Sequence, residues 1–94
     1  VLGSVDVLRR AGAPMTARIE APADLAAVPP GCLPVIEPAG LPAGLATLPW
    51  GQVSAAAGAA AARCIEAAVA RVQRGEGAAI VTAPLHKEAL AAAG

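Results

Sequence analysis

Ninety-four residues with seven basic and seven acidic side chains bound the chain to one small domain or a piece of a larger one. Zero net charge, one Trp and no Tyr or Phe argue against nucleic-acid binding, which needs a basic stripe or aromatic stacking platforms. Mean hydropathy is +0.61, but no run of about 18 strongly apolar residues exists. The excess is alanine, which buries little area per residue and makes a thin core.

In chain order, Val1-Leu2 reads as the end of a strand. There is no initiator Met and no signal peptide, so the polypeptide is expected to begin upstream. Ser4 is a helix N-cap with Asp6 in the first turn, and Val5 and Leu8 form the apolar face. Gly12 stops this helix after Arg9-Arg10, and Pro14 forbids its continuation. The Arg9-Arg10 pair reads as solvated charge. From Met15 to Glu20, Met, Ala and Ile alternate with Thr, Arg and Glu, a period-2 strand with the first set buried. Ala21 to Gly31 is a loop with room for one turn at Asp24–Ala27. Cys32 to Ile36 is a second strand, placed at a sheet edge because Pro34 cannot donate to a ladder. Residues 37–51 are punctuated by Pro and Gly, and a connection this long implies a packing or functional reason. Trp50 is expected to plug the junction between this connection and the long helix.

That helix spans Val53 to Arg74. Its Ala55–Ala62 run holds seven alanines interrupted only by Gly58, and alanine is the best helix former. Gly58, Ala61, Ile65, Ala68 or Val69, and Val72 make one stripe, with Arg63, Glu66 and Arg74 opposite. Because half the stripe is small, something must pack very close to the first half, and a sheet or a symmetry-related helix could do so. Gly75 ends the helix. Ala78–Val81 is a continuous apolar run, expected as a parallel strand buried on both faces. His86 to Ala93 is a final short helix. The fold class expected is α/β, a partial three-layer α/β/α sheet domain with β-α-β-β-α-β-α order, in which Cys32 to Val81 forms a crossover unit. Exposed edges in such a piece are pairing templates, so self-association is expected.

The chemistry concentrates beyond the last expected strand, where open α/β sheets place their ligands. Thr82 has a hydroxyl for a ligand or for its own turn. Pro84 fixes the loop. Lys87 can reach an anionic group or a neighbouring acid. His86, the only histidine, reads mainly as a solvated or capping group. Glu88 favours a helix start. Cys32 and Cys64 have neither disulfide-framework nor zinc spacing and read as buried thiols in a reducing, cytoplasmic setting. No P-loop, dinucleotide glycine motif or nucleophile elbow is present.

Several strings together resemble a known family: Gly51-Gln-Val-Ser-Ala55, Gly58-Ala59, Gly75-Glu76, Ile80-Val-Thr-Ala-Pro84, and His86-Lys-Glu-Ala-Leu90 running to Ala93-Gly94. They are similar to the 4-hydroxythreonine-4-phosphate dehydrogenase family of pyridoxal phosphate (vitamin B6) biosynthesis. Val1-Leu-Gly-Ser4 with the helix to Gly12 also fits. The likeness is strong over 51–94, moderate over 1–20 and weak between. Leu85-His86 stands where many members have Ile-Asn. The resemblance implies a fold like isocitrate and isopropylmalate dehydrogenases, with two α/β domains, a cleft between them and a homodimer. It implies NAD and a divalent metal (Zn, Mg or Co) as cofactors. The implied reaction oxidises and decarboxylates 4-phosphohydroxy-L-threonine, the metal polarising the developing carbonyl as a Lewis acid. The family's Gly-His-Thr-Glu motif and metal-binding histidines are expected after Gly94, and its glycine-rich segment before Val1. Residues 1–94 are thus expected to be part of one domain of a larger enzyme. They would hold no catalytic residue, metal or NAD of their own and would be inactive alone. Only Thr82 and Lys87, with His86 beside them, stand near the implied cleft. Two other readings are a non-catalytic α/β interaction module and a dehydrogenase for another hydroxy acid or diol.

Overall fold

The computed structural model describes residues 1–13 and 15–94; Pro14 lies outside the described residues. Helix α1 (Val5–Arg10) starts where expected, with Ser4 Oγ accepting from Val7 N at 3.3 Å. Its first amide has a distant acceptor of its own: Val5 N donates to Glu37 Oε1 at 2.7 Å. Glu37 also reaches Arg18 at 3.5 Å. One carboxylate therefore ties a helix start, whose amides have no partner within the helix, to the sheet.

Strands β1 (Thr16–Arg18) and β2 (Leu33–Val35) pair in parallel, Thr16 opposite Leu33 and Arg18 opposite Val35. Across β2, Leu2 forms a parallel bridge with Ile36. There Ile36 N donates to Val1 O at 2.7 Å and Gly3 N to Ile36 O at 3.1 Å. This places β2 at the centre and corrects the edge position inferred from Pro34. Leu33 and Val35 bond towards β1, so a residue-34 N–H would point to the other flank. On that flank the first rung is the Val1 amine donating to Pro34 O at 2.9 Å. The missing donor thus lies outside the ladder. Val35 is fully enclosed, with Val5 and Ile36 buried beside it. Met15, expected on the buried face of β1, is 55% exposed, because the strand ends there at the sheet's rim.

Residues Pro22–Ala27 form a 3-10 helix in the first loop, started by Asp24 accepting from Glu20 N and Ala21 N. A second 3-10 turn, Leu45–Thr47, lies in the Pro/Gly-rich connection. That connection has its packing reason in α1: Arg10 Nη1 donates to Ala46 O at 2.7 Å and also to Leu48 O. Arg10 also stacks over Trp50, 4.3 Å from the ring centroid, and Arg9 Nε donates to Thr16 Oγ1 at 2.9 Å. Neither arginine is the unengaged charge that its position at a helix end suggested. Nor does Trp50 plug a junction; it is 64% exposed, its ring serving as a platform for a cation.

Helix α2 (Ala55–Gln73) is capped by Ser54 Oγ, which accepts from Ala57 N. Its end is a Schellman motif: Glu76 N donates to Arg71 O at 2.9 Å and Gly75 N to Val72 O at 3.0 Å. This needs a left-handed residue, and Gly75 has φ of 81°. The predicted stripe faces inward through Ala68, Val69 being exposed, and Arg63, Glu66 and Arg74 face out, Arg63 pairing with Glu66. The close neighbour of the small half is neither a sheet nor a symmetry mate. It is the chain's own helix α3 (Lys87–Ala93), seated where Gly58 and Ala89 are both buried.

The expected strand Ala78–Val81 is absent among the described residues. The segment is irregular, without backbone hydrogen bonds to the sheet, and Val81 is 94% exposed. The crossover unit from Cys32 to Val81 therefore stays open. The β-α-β-β-α-β-α order becomes a bridge, α1, β1, β2, α2 and α3, an α/β fold on a two-stranded sheet. The physical reason lies in the partners available. β2 is flanked on both sides, and the outer edge of β1 offers only three residues, Thr16–Arg18. Few rungs are gained there, against about 1–2 kcal/mol of backbone entropy per residue ordered.

Candidate functional site

The sequence-predicted site residues occupy one stretch of chain in two settings. Thr82 lies in the irregular segment before α3 and lines a cavity of about 550 Å³. His86 and Lys87 lie beyond the cavity lining, at the start of α3. All three are exposed. His86 is the N-cap: its Nδ1 accepts from Ala89 N at 3.2 Å. That uses one ring nitrogen structurally, in keeping with the capping role. Lys87 is the first residue of α3 and has no ion pair among the described residues. Glu88 sits in the first turn, as expected.

The cavity separates α2 from the sheet. Val1, Leu2 and Ile36 form one wall, Cys64, Ile65 and Ala68 of α2 another, and the segment through Ile80, Thr82 and Leu85 the third. Its charged groups, Arg71 and Glu76, are matched to each other at 2.9 Å. Arg71 also donates to Glu20 O at 3.0 Å, and Glu76 pairs with Arg74 at 2.7 Å. The Arg74 hydrogen bond, aided by the charges of both arginines, holds the Glu76 carboxyl below its ordinary value of 4.5 against a smaller opposing effect of desolvation. This cluster fastens the α2 terminus to the first loop. Thr82 is left as the wall's polar group that the fold does not use, since no hydrogen bond engages its hydroxyl among the described residues.

Cys64 lines this cavity and also a second one of about 390 Å³, bounded by α1, the Leu41–Leu48 region and Ala57 and Ala60 of α2. Burial pushes the Cys64 thiol up. A thiol held in its protonated form is a poor nucleophile. Both cysteines are free and half-buried. Among the described residues no three His, Cys, Asp or Glu side chains converge to hold a metal, and no helix is long and apolar enough to cross a membrane. Glu37 and Arg10, which lock the α1 region, were not foreseen. The backbone groups they satisfy lie 32 or more positions away, beyond any local pattern.

Comparison with known proteins adds a family. The family model described as "Pyridoxal phosphate biosynthetic protein PdxA" matches residues 1–94. A 4-hydroxythreonine-4-phosphate dehydrogenase of Prosthecochloris aestuarii is 43% identical over 99 aligned positions, covering 100% of this chain and 28% of the relative. A protein of the same name from Beijerinckia indica subsp. indica is 57% identical over 51 positions, covering 53% of this chain and 15% of its own. The chain thus spans less than a third of the length of these relatives. No solved structure matches it significantly.

Proposed function

Because this chain belongs to the PdxA family of pyridoxal phosphate biosynthetic proteins, we propose that it forms part of an NAD- and divalent-metal-dependent dehydrogenase. Its substrate in this reading is 4-phosphohydroxy-L-threonine, oxidised and decarboxylated on the way to pyridoxal phosphate. The observation that carries the proposal is the family match along all 94 residues. It is supported by relatives that bear the dehydrogenase name at both levels of coverage. The enzyme is read as a cytoplasmic homodimer of two-domain subunits, with residues 1–94 forming part of one domain.

In this reading the segment from Thr82 to Lys87 is one wall of the substrate cleft. The Lys87 ammonium is a point charge on a flexible stem, suited to an anionic phosphate or carboxylate. The Thr82 hydroxyl offers a donor and an acceptor to a polar substrate group. His86 keeps the α3 start in register by capping Ala89. The residues described do not fit the metal: the only histidine is a cap, and no carboxylates gather around it. They do not fit the dinucleotide either, since no glycine-rich turn joins a strand to a helix. Metal and NAD ligation therefore belong to other parts of the enzyme, and residues 1–94 alone are expected to turn over no NAD.

The test follows NADH formation from 4-phosphohydroxy-L-threonine with NAD and Zn, Mg or Co, for the intact polypeptide and for residues 1–94. Turnover by the first and none by the second is expected. An intact protein that binds the substrate but never reduces NAD would sink the dehydrogenase reading. Turnover by residues 1–94 would sink the division of labour.

A further inference from the structure

We infer that Gly58 is a positioning residue: the absence of its side chain lets α3 seat on α2 and thereby sets where Lys87 stands. The inference rests on the reading of Lys87 as a cleft group. A Cβ placed at Gly58 would overlap the carbonyl group of Ala89 and lie 3.0 Å from Leu90 N. These are backbone atoms, so no rotamer change relieves the overlap. Ala89 is also the residue whose N–H is held by His86 Nδ1. The same residue that rests on Gly58 thus donates to the cap, and Lys87 lies, with Glu88, between cap and contact. The irregular connection from Gly77 to Leu85 has no backbone hydrogen bonds to the rest of the fold among the described residues. When Gly58 gains a side chain, α3 therefore lifts while α2 stays whole.

A double-mutant cycle tests this. Inside a helix, alanine is favoured over glycine, so Gly58→Ala should raise the melting temperature wherever α3 is absent. In the wild-type background it lowers it. In an Ala91→Pro background, where the proline breaks α3, the sign inverts. By NMR, Gly58→Ala moves the His86 Nδ1 and Ala89 amide resonances towards uncapped values. The Val35 methyl signals of the sheet core stay in place, which separates displacement of α3 from loss of the fold. In the intact enzyme, Gly58→Ala raises KM for the phosphorylated substrate about tenfold with kcat within about twofold, the pattern of lost ground-state binding. Stabilisation in both backgrounds, or an unmoved His86 signal, overturns the inference. Lys87→Met distinguishes its failure from failure of the cleft reading. If Lys87→Met leaves KM unchanged while the sign inversion holds, the cleft role of Lys87 fails and the seating of α3 stands. If Lys87→Met raises KM and Gly58→Ala does not, the positioning role fails.

Discussion

Two apolar runs of similar length met opposite fates. Leu33-Pro-Val-Ile36 contains a proline, yet it is the centre of the sheet, and Val35 is 0% exposed. Ala78-Ala-Ile-Val81 contains no strand breaker, yet it stays unpaired, with Val81 94% exposed. Strand propensity measures how well side chains fit a half-buried pleated surface; it does not measure the backbone alone. The first run has neighbours on both flanks, and its proline points to a rung that is not needed. The second finds no adequate edge and becomes a cavity wall.

The largest expected effect tests that contrast directly. Val35→Ala should cost about 2–3 kcal/mol of unfolding free energy through lost burial and a residual cavity. Chemical denaturation of the chain would measure it; a cost near zero would mean that β2 is not the core. Next comes Glu37, which ties the well-paired run to α1. Glu37→Ala removes the acceptor for Val5 N and the Arg18 pair and should cost about 1–2 kcal/mol. Glu37→Gln keeps a carbonyl oxygen for the amide and should recover most of that.

A smaller effect belongs to Glu76, at the root of the unpaired run. Its folded pKa lies below the ordinary value. The stability it contributes is therefore fully present above about pH 4.5 and is lost as pH falls through the folded value. Glu76→Gln should flatten the acid limb of a stability-against-pH profile, with a small loss of stability at neutral pH and convergence on the wild type in acid. An unchanged acid limb would show that the arginine cluster does not act on folding. The smallest effect is Val81→Ala, expected within about 0.5 kcal/mol. A cost close to that of Val35→Ala would restore the buried strand and overturn the comparison.

Local signals were legible wherever a residue acts on its own neighbours. The Ser4 cap, the Gly75 stop, the α2 stripe and the small-residue demand for a close partner all rest on contacts within a few positions. The family was legible in the same way, because its strings fall on helix ends and the Thr82–Lys87 loop. The partner of the small-residue stripe was not, since Gly58 and Ala89 meet only once an irregular connection has turned α3 back on α2. The roles of Glu37 and Arg10 were hidden for a similar reason: each satisfies backbone groups far along the chain. Thr82, His86 and Lys87 could be named as a group and His86 read as a solvated or capping residue, but only the structure separates the cavity-wall hydroxyl from the helix cap and from an ammonium with no ion pair among the described residues.

By itself, then, the sequence determined the three α-helices, the Ser4 cap, the Gly12 and Gly75 stops and membership of the PdxA family, because hydrogen bonds and side-chain periodicity at short range decide them; the start of α2 moved from Val53 to Ala55, where Ser54 caps it. Tertiary structure alone decided which apolar run became a strand and what rests on Gly58. Both depend on which backbone edges and surfaces arrive beside each other, and no local residue pattern encodes that arrival.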